Sequence, residues 1–246
     1  MKPTLVKLET APDLVDQVYR SLLDAISDGS LAPGQRVTQE DIAAQLAVSR
    51  QPVLQALRLL KKDGFIHDAP GRGVLVAPLD AGWMGQVYAV RGALDALAAR
   101  LAAGYRAEID PQLIAYGREA SDSKDVKAMI DADMAFHEAI YAAARNPLIA
   151  QSAQLHWRHL RRVMGAVLQS AQQRATVWDE HEAIADAIAT GDAKRAVTLI
   201  DHHSEQASSK LTDRLTHHLG DPLATPSLSS PLTPTPPQTL TLGAQP

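Results

Sequence analysis

The chain of 246 residues has no cysteine, so it can form neither disulfides nor thiolate metal sites. It has no apolar run approaching the roughly 20 residues of a membrane span. Residues 1–9 lack the basic start and long apolar core of a secretory signal. From these absences we expect a cytoplasmic protein with no membrane partner. An excess of positive charge is also missing: the formal net charge is −4. Any nucleic-acid binding must therefore rest on how charge is distributed, not on its total. What the chain does have is 46% apolar residues and enough length for one large domain or two small ones, each with a proper core.

The missing positive charge reappears locally. Residues 49–73 hold five basic side chains (Arg50, Arg58, Lys61, Lys62, Arg72) against two acids (Asp63, Asp68), whereas residues 79–220 hold 15 basic against 18 acidic. Around that basic stretch the local signals are ordered. Leu14, Val18, Leu22 and Ile26 recur every four residues, predicting a helix capped by Asp13 and stopped at Gly29. "LAPGQ" is a turn, and Thr38 with Asp41 resembles a capping box that starts a short helix carrying Ile42 and Leu46. Ser49 is expected to cap the next helix, with Pro52 tolerated in its first turn. "FIHDAPGRGVLVAP" predicts two short strands around "PGRG".

The fold class that follows is mainly α. Residues 1–78 predict a winged helix-turn-helix with a small β-hairpin wing, and residues 79–83, within "APLDAGW", a linker. Residues 84–220 are alanine-rich and helical, interrupted at "EIDP", "NP" and "TGD". They predict about six helices in an all-α antiparallel bundle. Residues 221–246 hold seven of the 15 prolines with Ser and Thr and no aromatic, which predicts a disordered Pro-rich tail.

At 100° per residue, Val53, Ala56, Leu57 and Leu60 gather on one side of the basic helix, and Arg50, Gln51, Leu54, Arg58 and Lys61 spread over the other. The first side packs; the second suits the major groove of double-stranded DNA. There Arg50 or Gln51 in the first turn would meet base edges, and Arg58 or Lys61 the phosphates. Arg72 at the wing tip, flanked by Gly71 and Gly73, would enter the adjacent minor groove. Leu54 offers apolar contact alone, either to a thymine methyl or sideways to Leu57 or a dimer partner. A homodimer is expected, because two reading helices can address two half-sites of an operator.

"YRSLLDAISDGSLAPGQRVTQEDIAAQLAVSRQPVLQALRLLKKDGFI", followed by "GRGVLV", resembles the DNA-binding domain of GntR-type transcription regulators over residues 14–78. The resemblance implies DNA contacts from Ser49, Arg50, Gln51, Leu54, Arg58, Arg72 and Gly73. At Leu54 and Gln55 the sequence departs from the family's common Arg-Glu, which leaves the operator sequence open.

The C-terminal half breaks its own apolar stripes. Asp133 and His137 lie among Val126, Ile130, Ile140, Tyr141 and Ala144. His181 lies with Trp178, Ile184 and Ile188, and His203 with Ala196, Ile200 and Ala207. His202 points about 100° away from His203. Burying such groups unpaired would cost several kcal/mol, so they need partners. One Asp and three His suit a divalent transition metal such as zinc, nickel or manganese; the competing reading of each is a hydrogen-bonded core residue.

"DMAFHEAIYAAARN" and "EHEAIADAIATGDAKRA", with the following His203, resemble the FCD domain of the FadR branch of GntR regulators. That resemblance implies a metal on Asp133, His137, His181 and His203, beside a small organic acid. Arg91, on the stripe of Val87, Leu94, Ala98 and Leu101, matches a recurrent arginine of that domain. It would either neutralise a ligand carboxylate or pair with Asp95. The expected function is a dimeric, metabolite-responsive transcription regulator, not an enzyme. The alternatives are a regulator that senses the metal itself, or a metal-dependent hydrolase, for which Glu138 and Glu180 adjoin the ligands in sequence.

Overall fold

The computed structural model describes residues 14–123, 125–168 and 176–220, and the expected Asp13 cap and the tail at 221–246 lie outside them. The first helix, α1 (Leu14–Ser27), buries Val18, Leu22 and Ile26 along the predicted stripe. A short strand, β1 (Arg36–Val37), leads to α2 (Gln39–Gln45), whose first turn is held by Thr38: its hydroxyl accepts from the Asp41 amide and donates to the Asp41 carboxylate. The next helix, α3 (Arg50–Lys62), packs through Val53, Ala56, Leu57 and Leu60, the four residues expected. Ser49 stands at the N-cap with extended backbone, but its hydroxyl makes no capping bond, which corrects the expectation that it caps the helix.

The wing is formed by β2 (Ile66–Asp68) and β3 (Val74–Val76), antiparallel, with Ile66 opposite Val76. The sheet has a third strand that the sequence reading missed, since β1 pairs with the outer side of β3 in the order β1-β3-β2. Gly73 has φ +89°, and a Cβ there would stand 2.5 Å from the Val37 carbonyl oxygen. The sheet itself therefore requires glycine at this position. Arg36 closes the wing by donating from Nε to the Arg72 carbonyl at 2.8 Å and from Nη2 to the Pro70 carbonyl at 2.9 Å.

Within the expected linker at 79–83 the helix α4 (Ala81–Gly104) opens, capped by the Asp80 side chain. Then follow α5 (Pro111–Ser123), α6 (Val126–Ala143), α7 (Pro147–Val167), α8 (Val177–Thr190) and α9 (Ala193–Gly220). These six match the expected number, and three of the breaks fall at "EIDP", "NP" and "TGD". The longest contact is between α4 and α9, with α6, α7 and α8 packed around them. There are two cores, one per half of the chain, and Leu155 on α7 reaches into the N-terminal one.

Candidate metal centre and DNA-reading face

The four residues that break the apolar stripes of α6, α8 and α9 meet at one point. Asp133, His137, His181 and His203 each offer one ligand atom, all within 4.8 Å of one another, and the three histidines are buried. Nε2 of His181 lies 3.3 Å from Nε2 of His203 and 3.5 Å from the Asp133 carboxylate. Carboxylates stand behind two of the rings: Glu180 Oε2 is 2.9 Å from His203 Nδ1, and Asp95 Oδ1 is 3.6 Å from His137 Nδ1. The Glu180 contact is a hydrogen bond that turns Nε2 of His203 toward the centre, whereas the Asp95 carboxylate is near His137 Nδ1 without bonding to it. Burial pushes the His137 pKa below its ordinary value and so favours the neutral ring that a metal needs. The donor set, its convergence and its backing fit a divalent transition metal.

Packing seats the rings. Phe136 stacks on His181 with centroids 4.2 Å apart, and Trp178 meets the same ring edge-on at 4.6 Å. Trp178 lies across Gly117, where a Cβ would fall 1.9 Å from the indole, and it donates to Ser121 Oγ at 3.0 Å. Glycine at 117 is therefore a condition for the position of His181.

Arg91 forms the expected pair with Asp95 and also reaches His137. Nε donates to Asp95 Oδ2 at 2.8 Å in a fully buried pair, while Nη2 donates to His137 Nε2 at 3.2 Å. Burial alone would raise the Asp95 pKa; the Arg91 charge overrides it and holds the carboxyl well below the usual range. Tyr141 also donates to Asp95, and Trp157 Nε1 donates to the Tyr141 oxygen at 3.1 Å, with the Arg91 guanidinium 4.3 Å from the Trp157 ring centre. A cavity of about 90 Å³ opens on this group, lined by Arg91, Asp133 and His203 and walled by Met164, Leu168 and Leu211. A larger cleft of about 770 Å³ between α1 and α6–α7 has no imidazole among its lining residues.

The helix that brings Trp157 to this site also holds the N-terminal half. Arg158 Nη1 donates to the Tyr19 hydroxyl at 3.0 Å, which donates to Asp63 Oδ2 at 2.6 Å. His159 Nε2 donates to the Asp63 carbonyl at 2.9 Å and stacks on Phe65 at 4.2 Å. Arg162, buried, donates to the Ala77 carbonyl, and burial lowers its pKa to about 10. Asp63 is the C-cap of α3. Three side chains of α7 thus grip the end of the reading helix and the end of the wing. The sequence reading missed them, along with Glu180 as a partner of His203.

On the outer side of α3, Arg50, Gln51 and Arg58 are exposed and Leu54 is half-buried. Arg50 pairs with Glu40 of α2 at 3.2 Å, an exposed contact that a phosphate or base can replace at little cost. Lys61, expected at the phosphates as an alternative to Arg58, is exposed and makes a similar replaceable pair with Asp68 of the wing. Arg72 is exposed at the wing tip.

Residues 14–76 match the family described as bacterial regulatory proteins, gntR family, and residues 86–206 match the FCD domain. An HTH-type transcriptional regulator in an unstable DNA locus of Streptomyces ambofaciens is 26% identical over 87% of this chain and 92% of its own length. The "Probable D-xylose utilization operon transcriptional repressor" of Paenarthrobacter nicotinovorans is 27% identical over 79% of this chain and 87% of its own. Among solved structures, a transcriptional regulator GntR from Rhodococcus sp. RHA1 superposes with a TM-score of 0.66 at 26% identity, covering 81% of this chain and 97% of that one. E. coli McbR/YncC shares the fold with a TM-score of 0.69 at 20% identity, covering 84% and 99%. Among the described residues no helix is long and apolar enough to cross a membrane.

Proposed function

Because the chain belongs to the gntR family of bacterial regulatory proteins and carries an FCD domain, we propose that it is a DNA-binding transcription regulator controlled by a small carboxylate bound beside a metal. The observation that carries the effector half of this reading is the convergence of Asp133, His137, His181 and His203, of which Asp133 and His203 line the cavity that Arg91 also lines. A divalent transition metal held there would supply a Lewis-acidic seat for a carboxylate. Arg91 Nη2 rests on the His137 Nε2 lone pair, the one a metal takes. With that lone pair engaged, the N–H is released toward the cavity, where it can donate to an anion.

Regulation then rests on α7. Trp157 touches Arg91 and His137, while Arg158, His159 and Arg162 hold the reading helix and the wing. An effector acts to the extent that it prefers one arrangement of these contacts over another. The protein works as a cytoplasmic homodimer whose two α3 helices read two half-sites, with Arg50 and Gln51 at base edges, Leu54 beside them, Arg58 on phosphate and Arg72 in the minor groove. The carboxylates adjoining the ligands favour this reading over a hydrolase. Glu180 is engaged behind His203, and Glu138 is exposed on the interdomain cleft.

The test is metal analysis of the protein purified without chelator, followed by titration of a selected operator duplex with and without zinc, and with and without short carboxylates. About one metal per chain and an operator affinity that changes with carboxylate in the metal-loaded protein are expected. An affinity that follows zinc but ignores every carboxylate would make the metal itself the signal, and metal-free protein with unchanged affinity throughout would overturn the reading.

A further inference from the structure

The wing tip is held from outside its own hairpin. Residues 69–73 join β2 to β3, and within them Gly71 at φ +86° and Gly73 at φ +89° flank Arg72. Across the base of this loop the Ala69 amide donates to the Gly73 carbonyl at 3.3 Å, but among the described residues no backbone hydrogen bond forms within 70–72. Glycine on both sides of Arg72 leaves such a tip many conformations. A second restraint comes from Arg36 on β1, which pairs with the far side of β3 opposite Leu75. Arg36 Nε and Nη2 both donate to the Arg72 carbonyl, the first at 2.8 Å, and Nη2 also donates to the Pro70 carbonyl at 2.9 Å.

The arginine itself has a fixed root. On either side of the short strand pairing, the Gly34 amide donates to the Val76 carbonyl and the Val76 amide to the Gln35 carbonyl, each at 2.9 Å. A Cβ at position 71 would stand 3.4 Å from Arg36 Nη2, so the guanidinium lies against the loop backbone. Arg36, Pro70 and Arg72 are all exposed, and there water can satisfy a carbonyl as well as an arginine can. The fold therefore does not depend on these bonds. Their effect is to reduce the number of conformations open to the loop that carries Arg72.

We propose that Arg36 is a positioning residue for DNA recognition: by bonding the carbonyls on both sides of Gly71 it presets the wing tip from which Arg72 enters the minor groove. This rests on the reading of Arg72 given above and adds to it a residue that lies on neither the reading helix nor the hairpin. A loop that is already ordered loses less conformational freedom on binding, so the Arg72 contact is tighter and more selective. The selectivity is for A·T over G·C. The amino group of G changes the minor-groove floor, and A·T runs narrow the groove and deepen its negative potential around an inserted guanidinium.

The experiment is a double-mutant cycle on the full-length protein: wild type, Arg36→Ala, Arg72→Ala and the two substitutions together. Fluorescence anisotropy compares an operator duplex selected by the wild type with duplexes in which the A·T pairs flanking each half-site are replaced by G·C, and thermal unfolding is followed alongside. The wild type is expected to prefer A·T flanks by about fivefold or more, the scale of one mismatched base pair. Arg72→Ala should bring that ratio near unity, and Arg36→Ala should bring it most of the way there while base preference under α3 and the unfolding temperature stay at wild-type values. In the Arg72→Ala background, removing Arg36 should change the ratio no further, because a residue that acts through Arg72 has nothing left to act on. A full flanking preference in Arg36→Ala, lost only in Arg72→Ala, would overturn the proposal and leave the wing reading standing. Additive losses would overturn it by making Arg36 a separate DNA contact, and a lowered unfolding temperature with preference lost at every position would make it a residue of the fold. A flanking preference that is absent from the wild type, or that survives Arg72→Ala, would overturn the wing reading and the proposal together.

Discussion

If α7 carries the effector signal to the reading helix, His159→Ala should disconnect the two while leaving each intact. The His159 ring donates to the carbonyl of Asp63, the residue that ends α3, and stacks on Phe65 at 4.2 Å. Losing the hydrogen bond costs about 0.5–1.5 kcal/mol, and losing the stacked contact about as much again. The grip on the reading head would thus weaken by about 1–3 kcal/mol, a factor of about 5–150 in the docking equilibrium. The assay is fluorescence anisotropy of a selected operator duplex with zinc-loaded protein, with and without the carboxylate that shifts the wild type. Calorimetry of the carboxylate alone runs alongside. We expect unchanged carboxylate affinity and an operator shift reduced toward unity, with Gln154→Ala, exposed on the same helix, behaving as wild type. Burial also depresses the His159 pKa below 6.5. The docked state therefore binds fewer protons than the released one, and the contribution of this contact, complete at pH 7, declines as pH falls below about 6.5. A His159→Ala protein that keeps the full carboxylate-driven shift would refute the coupling through α7.

Other substitutions test the parts separately. His137→Ala and His203→Ala should lose bound metal while His202→Ala, exposed on the neighbouring position, retains it; Glu180→Gln should weaken zinc binding by about 10- to 100-fold through the orientation of His203. Operator affinity should fall steeply with salt, by about 0.9 in log K per phosphate contact per decade. Arg58→Ala should flatten that slope for all sequences, and Arg50→Ala should also erode base preference. A preserved ratio of specific to non-specific binding in Arg50→Ala would count against the reading-helix assignment. Gly117→Ala forces a methyl into Trp178, so thermal unfolding should show a loss of about 1–3 kcal/mol, together with weaker zinc binding from a displaced His181. Selection from a random DNA pool should show T favoured under Leu54, and a shift toward G in Leu54→Arg, with a discrimination of about 1–3 kcal/mol. Unchanged preference at every position would mean that this half-buried leucine packs without touching DNA.

What could be read from the sequence was whatever repeats within one helix. The packing side of α3 and the polar residues that break the stripes of α6, α8 and α9 are set by a 3.6-residue period, which needs no knowledge of neighbours. Strand β1 escaped because two residues carry no period. It exists through pairing with β3 and through Arg36, whose acceptors lie 34 and 36 residues away. The grip of α7 escaped for the same reason on a larger scale: Arg158, His159 and Arg162 meet partners 139, 96 and 85 residues distant. Within α7 they look like ordinary polar residues of an amphipathic helix.

Arg91 shows why the two roles posed by the sequence need not exclude each other. A partner four residues away on the same helix and a role in the ligand site look like alternatives if a side chain is given one contact. A guanidinium has five N–H donors in a rigid fork, so engaging Nε does not consume the Nη groups. Here the Asp95 contact through Nε fixes the plane of the fork, and that plane directs Nη2 to His137. The ion pair is therefore what aims the arginine. Replacing Arg91 by lysine would keep a positive charge beside Asp95, but a single ammonium on a flexible stem cannot hold the carboxylate and address the histidine in a fixed geometry. The carboxylate response should fall in Arg91→Lys even where zinc remains bound, and a wild-type response in that variant would show that charge alone suffices.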